Sequence, residues 1–248
     1  MFNRIPLTLK KTSLILILLI TFFSCKKEVE LEFTEQQIET SKDAEIAINI
    51  PKAEGNKAIA DRINTIINNY IASQMNLSDD SSTVLSIDDA IRQFNTDYIK
   101  FKSDFLDSEM KWEVLIDGEV THRSPEIICI AISSYLDTGG AHGNTNVRFF
   151  NFNPETGALY KNIELVNTNK QFSEVIQKKL NAKLQTASDN EPMEDMFFGK
   201  DFQLPETLGY DDEGLIILYN PYEIASYSQG IIEFTIPYDV VNDFLKIR

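Results

Sequence analysis

Residues 127–157 read IICIAISSYLDTGGAHGNTNVRFFNFNPETG, and this stretch decides the fold. It opens on Ile127, Ile128, Ile130, Ala131 and Ile132, a β-branched apolar run that predicts a buried strand to Leu136. Asp137-Thr138-Gly139-Gly140-Ala141-His142-Gly143 is a short glycine-rich connection. Val147, Phe149 and Asn151 then alternate with Arg148, Phe150 and Phe152, the pattern of a returning strand. A parallel crossover needs a dozen or more residues, so a link this short makes the pair antiparallel. Pro154-Glu155-Thr156-Gly157 turns the chain again.

Upstream of the hairpin, Ile46, Ile48 and Ile50 alternate with Ala47 and Asn49 until Pro51, a short first strand. Ile59, Ile63, Ile66, Ile67, Tyr70, Ile71 and Met75 recur at three and four, which predicts a helix over about 55–76. Ser86 before Ile87-Asp88-Asp89 is a capping-box-like start for a second helix carrying Ile91, Phe94, Tyr98, Phe101 and Phe105. Trp112, Val114 and Ile116 alternate, and Asp117-Gly118 reads as a turn or bulge. Downstream, Phe172, Val175, Ile176, Leu180 and Leu184 mark a third helix. Residues 188–201 form an acidic loop with Met196, Phe197 and Phe198 read as exposed. Strands are expected at 202–204, 215–219 and 231–236, and Pro237-Tyr238-Asp239 opens a short last helix. The class is α+β, a mostly antiparallel sheet with about three main helices and a short C-terminal helix. No Pro, Gly or Ser linker separates the halves near 154–165, so one sheet shared by both is expected.

At the start of the chain, Arg4, Lys10 and Lys11 precede an apolar run from Leu14 to Phe23. Those 10 residues would span about 15 Å as a helix, half of a bilayer core, so the run reads as the apolar part of a signal peptide. Ser24-Cys25 directly after it resembles the lipobox of bacterial lipoproteins. That resemblance implies removal of residues 1–24, acylation (palmitate) of Cys25 and a membrane anchor. Residues 25–43 then read as a tether. Lys26 after the cysteine leans toward the outer membrane, on its periplasmic or surface face.

The full chain carries a formal charge of −15, and loss of the three N-terminal cations takes it to −15 − 3 = −18. Such a charge disfavours nucleic acid and favours basic partners. Cys129 lies in an apolar strand and reads as a buried, inert thiol. Tyr135, Asp137, Gly139, Gly140, His142 and Gly143 form a candidate ligand-binding loop, because glycines let backbone amides face a ligand. The competing reading is a plain glycine turn with positive φ. A triad of Ser133 or Ser134 with His142 and Asp137 has no nucleophile elbow behind it. His122 reads as surface. Met196, Phe197 and Phe198 form a candidate docking loop, while Tyr222 and Tyr227 read as rings buried by a turn. No catalytic residue, metal ligand set or cofactor is assigned, since zinc and calcium spacings are missing from the sequence.

The hairpin turn Thr138-Gly139-Gly140-Ala141-His142-Gly143 is followed in order by Asn220-Pro221-Tyr222-Glu223-Ile224-Ala225, Tyr227-Ser228-Gln229-Gly230 and Ile236-Pro237-Tyr238. In this series the chain resembles the PdaC/RsiV-like superfamily of bacterial envelope domains. Residues 44–157 resemble the N-terminal, non-catalytic domain of PdaC, and 158–246 the C-terminal extracellular domain of RsiV. The resemblance implies lysozyme binding by the second half. It does not carry over deacetylase activity, because the Asp-Asp run and paired histidines of the PdaC catalytic domain are missing here. The leading expectation is a non-enzymatic envelope lipoprotein that binds a lysozyme-like protein or a peptidoglycan-related ligand. The alternatives are a peptidoglycan- or ester-acting hydrolase using His142, and a structural docking lipoprotein.

Overall fold

The structure is a computed structural model that describes residues 31–78, 85–187 and 193–248. The signal segment 1–24, Cys25, the tether as far as residue 30, and Asp189 and Glu191 of the acidic loop lie outside the described residues. The fold is α+β, with a five-stranded sheet of order β1-β2-β3-β4-β5 and a three-stranded sheet of order β6-β7-β8. In the first sheet, β1 (Leu31–Thr40), β2 (Glu45–Gly55), β3 (Glu113–Arg123), β4 (Ile128–Asp137) and β5 (Asn144–Phe152) pair antiparallel except for the parallel β2–β3 step. That step is crossed by two helices, α1 (Lys57–Gln74) and α2 (Ile87–Asp104). The second sheet is β6 (Thr207–Tyr210), β7 (Gly214–Tyr219) and β8 (Ile232–Pro237), all antiparallel. Before it come a single turn, α3 (Asn162–Leu165), and the long α4 (Lys170–Ala187); α5 (Tyr238–Val241) follows it.

Period decides each element. In α1, Ile59, Ile63, Ile67 and Ile71 are buried on one stripe, and the Asn56 side chain caps the helix by accepting from the Ile59 amide. Ser86 caps α2 by accepting from the Asp89 amide at 3.1 Å, and Asp88 and Asp89 complement the helix dipole. These stripes pack on the inner face of the first sheet, where Ile48 of β2 lies beside Ile116 of β3, and Ile130 of β4 beside Phe150 of β5. Trp112 closes this core among Phe94, Tyr98 and Phe101, with ring centroids 5.3–5.6 Å away.

Four expectations are corrected. Residues 31–40 form strand β1, not tether. Leu31, Phe33 and Ile38 pack on the first core, while the acidic intervening residues mark a solvated edge strand, which hides the period. Asp117-Gly118 is neither turn nor bulge but the middle of β3. A Cβ on Gly118 would lie 2.5 Å from Ile132 Cδ1, so close packing requires glycine there; the register shift falls two residues on, between Val120 and His122. The strand expected at 202–204 lies instead at Thr207–Tyr210. The two halves also do not share one sheet. The second half has its own, and the outer face of the first sheet serves as the wall of the second core through Cys129, Ala131, Val147 and Phe149.

The seam is bonded by side chains. Asn220 accepts from the Val147 amide at 2.7 Å and donates to the Val147 carbonyl at 3.0 Å, acting as a one-residue strand on the free edge of β5. Thr207 Oγ1 accepts from the Phe149 amide at 3.0 Å, and Asn151 donates to the Leu208 carbonyl at 2.7 Å. β6 can lie this close because Gly209 has no Cβ, which would sit 2.6 Å from the Phe149 ring.

Burial pushes the Cys129 thiol up to about 11 and the Tyr238 phenol up to about 12, and it raises Tyr210 and Tyr219 further still. All four surround the second core. A raised folded pKa means that their contribution is intact below the ordinary thiol and phenol values and is lost as pH rises through the raised ones. Alkali above about pH 10 is therefore expected to open the second core first. Ionisation of the buried phenols Tyr210, Tyr219 and Tyr238, read as the tyrosinate absorbance that is lost when they are replaced by Phe, should precede any change in the fluorescence of Trp112, the chain's one tryptophan and part of the first core. The reverse order would show that the first core is the weaker one.

Candidate functional site

The β4–β5 turn is built from its own side chains. The Asp137 carboxylate accepts from the Gly139 amide at 2.8 Å and from the Tyr135 hydroxyl at 3.4 Å. Desolvation and the neighbouring Asp137 charge hold the Tyr135 phenol above its usual pKa. Gly139 takes φ +83° against Met110, and a Cβ on Gly143 would lie 2.3 Å from the Tyr135 ring. Gly139 and Gly143 thus serve the turn itself, and the exposed residues they present are Gly140, Ala141 and His142.

Two segments of the second half meet that turn. The Tyr227 hydroxyl donates to the Gly143 carbonyl at 2.7 Å, and its ring stacks on His142 with centroids 3.6 Å apart and planes 16° apart. His142 Nδ1 lies 2.9 Å from the same carbonyl and donates to it, leaving Nε2 to accept from the Tyr222 hydroxyl at 3.4 Å. Tyr222 adds a third ring 5.8 Å from Tyr227. It follows Pro221 in a turn closed by the Glu223 amide bonding to the Asn220 carbonyl, and its φ of +68° is the left-handed value that favours glycine. The Glu223 carboxylate clamps this turn by accepting from the Asn220 and Glu206 amides at 2.9 and 2.7 Å. Burial raises its pKa. Instead of being buried by the turn, Tyr222 is 55% exposed, so the expectation for its ring is corrected.

The remaining sequence candidates are dispersed. The Ser134 hydroxyl donates to Gln74 Oε1 at 3.1 Å on the helix-facing side of the sheet, and Ser133 lines the opposite face. The bonds of His142 and Asp137 go to the partners above, so no Ser-His-Asp relay is assembled. His122 is not surface: the register shift in β3 turns it under Tyr210 and Tyr238, with Nδ1 3.6 Å from the Asp212 carboxylate. In the candidate docking loop, Met196 and Phe197 pack against the second core, and the Phe197 ring meets Phe202 and Tyr219. Only Phe198 of the three is exposed. Among the described residues no group of His, Cys, Asp or Glu is arranged to hold a metal ion, and no helix is long and apolar enough to cross a membrane.

Sequence reasoning missed a second surface. The outer face of the first sheet is covered by the second half over β4, β5 and the C-terminal end of β3, but open over β1, β2 and the rest of β3. Its rows run in register: Glu39 beside Ala47 and Leu115, then Gln37 beside Asn49 and Asp117, with Glu119 beyond. Two grooves of about 250 and 230 Å³ share Asp117, and the second runs under Ile216 and Glu233 of the second sheet. Their charged lining residues are Glu39, Asp117, Glu119 and Glu233, with no lysine or arginine. Several acids elsewhere are paired, as in Lys111–Glu45, Lys52–Glu54 and Lys57–Asp61. The period-two alternation of Leu115, Asp117 and Glu119 was the available signal.

Residues 38–145 match the family model "Deacetylase PdaC", and residues 161–239 match "Protein of unknown function (DUF3298)". The chain thus has a PdaC-like segment followed by a DUF3298, RsiV-like segment. The fold is similar to the crystal structure of a DUF3298 family protein from Pseudomonas aeruginosa PAO1, with TM-score 0.60, 19% identity, and coverage of 88% of this chain and 94% of that one. It is also similar to a DUF3298 family member from Bacteroides fragilis NCTC 9343, with TM-score 0.57, 19% identity, and coverage of 89% and 95%. No curated protein matches the chain by sequence.

Proposed function

We propose that this chain, a PdaC-like segment joined to a DUF3298-like one, is a non-enzymatic envelope lipoprotein, anchored through Cys25 in the outer membrane, that captures a basic protein of the lysozyme type. The observation that supports this reading most directly is the open acidic face. Glu39, Asp117, Glu119 and Glu233 line contiguous grooves without a cation among the lining residues, and Leu115, 39% exposed, lies among them. A face of acceptors with a small apolar centre suits lysine and arginine side chains on a partner. The net charge steers such a partner before contact.

The test is binding of a soluble form, starting at residue 26, to a panel of lysozymes at low and moderate salt. Saturable binding that weakens as salt rises is the expected result, because salt screens exposed charges over about 10 Å at 0.1 M. Failure to bind any basic member of the panel at low salt would remove this reading.

A further inference from the structure

We infer that the His142–Tyr222–Tyr227 ledge is a second, separate binding site, and that its ligand is an uncharged pyranose sugar lying on the Tyr222 ring. The ledge is assembled from both halves, 80 residues apart in sequence, and its hydrogen bonds hold it rigid before any ligand arrives. Tyr227 and His142 are tied to one carbonyl, that of Gly143. The Glu223 clamp holds the turn that lifts Tyr222.

The backbone at Tyr222 supports a ligand role. Its φ of +68° suits glycine, and a bulky side chain there is strained. A tyrosine placed for packing would bury its ring; this one is 55% exposed. The strain therefore places an aromatic face in solvent, held at one edge by the bond to His142 Nε2.

Chemistry selects the class of ligand. An aromatic ring has a negative face, which attracts the weakly positive C–H groups on the apolar side of a sugar ring. The rim is neutral and hydrogen-bonding: the Tyr222 hydroxyl, His142 Nε2, and the Ser226 and Ser228 hydroxyls that flank Tyr227 and contact each other at 2.9 Å. The carboxylates of the two turns are engaged, Asp137 by Tyr135 and Gly139 and Glu223 by the Asn220 and Glu206 amides. A flat ring with an apolar face and a hydroxyl edge matches this rim. The acidic face proposed for a basic protein uses none of these residues, so the two readings stand or fall separately.

The experiment titrates the soluble chain with a β-1,4-linked N-acetylglucosamine tetramer and, in a parallel arm, with maltotetraose, by calorimetry and by NMR of the His142 ring. The expected result is saturable binding of at least one oligosaccharide, insensitive to salt, with the His142 resonances shifting. The first arm points to a cell-wall-type glycan and the second to a glucan-like polysaccharide. Tyr222→Gly should weaken that binding at least tenfold while leaving the thermal midpoint unchanged or higher. His142→Ala, at an exposed position, should also weaken it. Absence of saturable binding in both arms, or binding that survives both substitutions, overturns the inference.

Discussion

Asn220→Ala is expected to lower stability by about 2–4 kcal/mol, more than most single changes at a polar residue. The Asn220 side-chain amide bonds both the outward amide and the outward carbonyl of Val147, on the free edge of β5. Alanine leaves both backbone groups buried and unmatched, at about 1–3 kcal/mol each. The loss reaches the surface as well, because Asn220 is the first residue of the turn that carries Tyr222. Thr207→Ala removes a single bond at the same seam, to the Phe149 amide, and should cost about 1 kcal/mol. Denaturant melts of the two variants check the ratio. Equal small losses would mean that water replaces Asn220 at the edge and that the seam is held by packing alone.

The combined Asp117→Asn, Glu119→Gln, Glu233→Gln variant should lose about ten- to a hundredfold in association rate with a basic partner. Its binding should also depend less on salt, since three of the four groove charges are gone. Stability should rise, not fall. Among the described residues these carboxylates take part in no ion pair, and neutralising them lessens the self-repulsion of a chain whose formal charge is −15. Stopped-flow association at two salt concentrations, paired with thermal melts, separates the cases. An unchanged rate with a raised midpoint would place the partner elsewhere on the surface.

Much of this architecture is legible in the sequence. Ile46–Ile50, the stripes of α1 and α2, the 127–152 hairpin and the short C-terminal helix each carry a period that physical chemistry ties to one conformation. The strand at 31–40 is not legible. An edge strand buries one face weakly and carries glutamates on the other, so its composition is that of a tether. Gly118 misleads for a related reason: glycine marks turns in sequence, but here it makes room for Ile132 from the next strand.

The β4–β5 turn stands out in the sequence for a partly different reason than the one that distinguishes it in the fold. Its glycines suggest exposed backbone amides, yet Gly139 and Gly143 serve the turn, and His142 is set apart by the rings stacked on it. Tyr222 reads as an inside residue because tyrosine usually buries its ring, and Pro221 before it marks a turn without fixing the sign of φ at the next position, which the structure shows to be +68°.

By itself the sequence determined what local periodicity can encode: the α+β class, the helices, the central hairpin, the acidic charge and the signal-like start with Cys25. Those properties depend on residues within a few positions of one another. Tertiary structure alone decided what depends on residues about 60–90 positions apart. Asn220 completes the edge of β5, Thr207 and Gly209 close β6 onto Phe149, and Tyr222 and Tyr227 reach His142. The wall of the second core belongs to the first sheet, and the open acidic face exists because the second half covers β4, β5 and the end of β3 but leaves β1, β2 and the rest of β3 bare. No pattern along the chain encodes these meetings, because each arises where two surfaces distant in sequence come into contact.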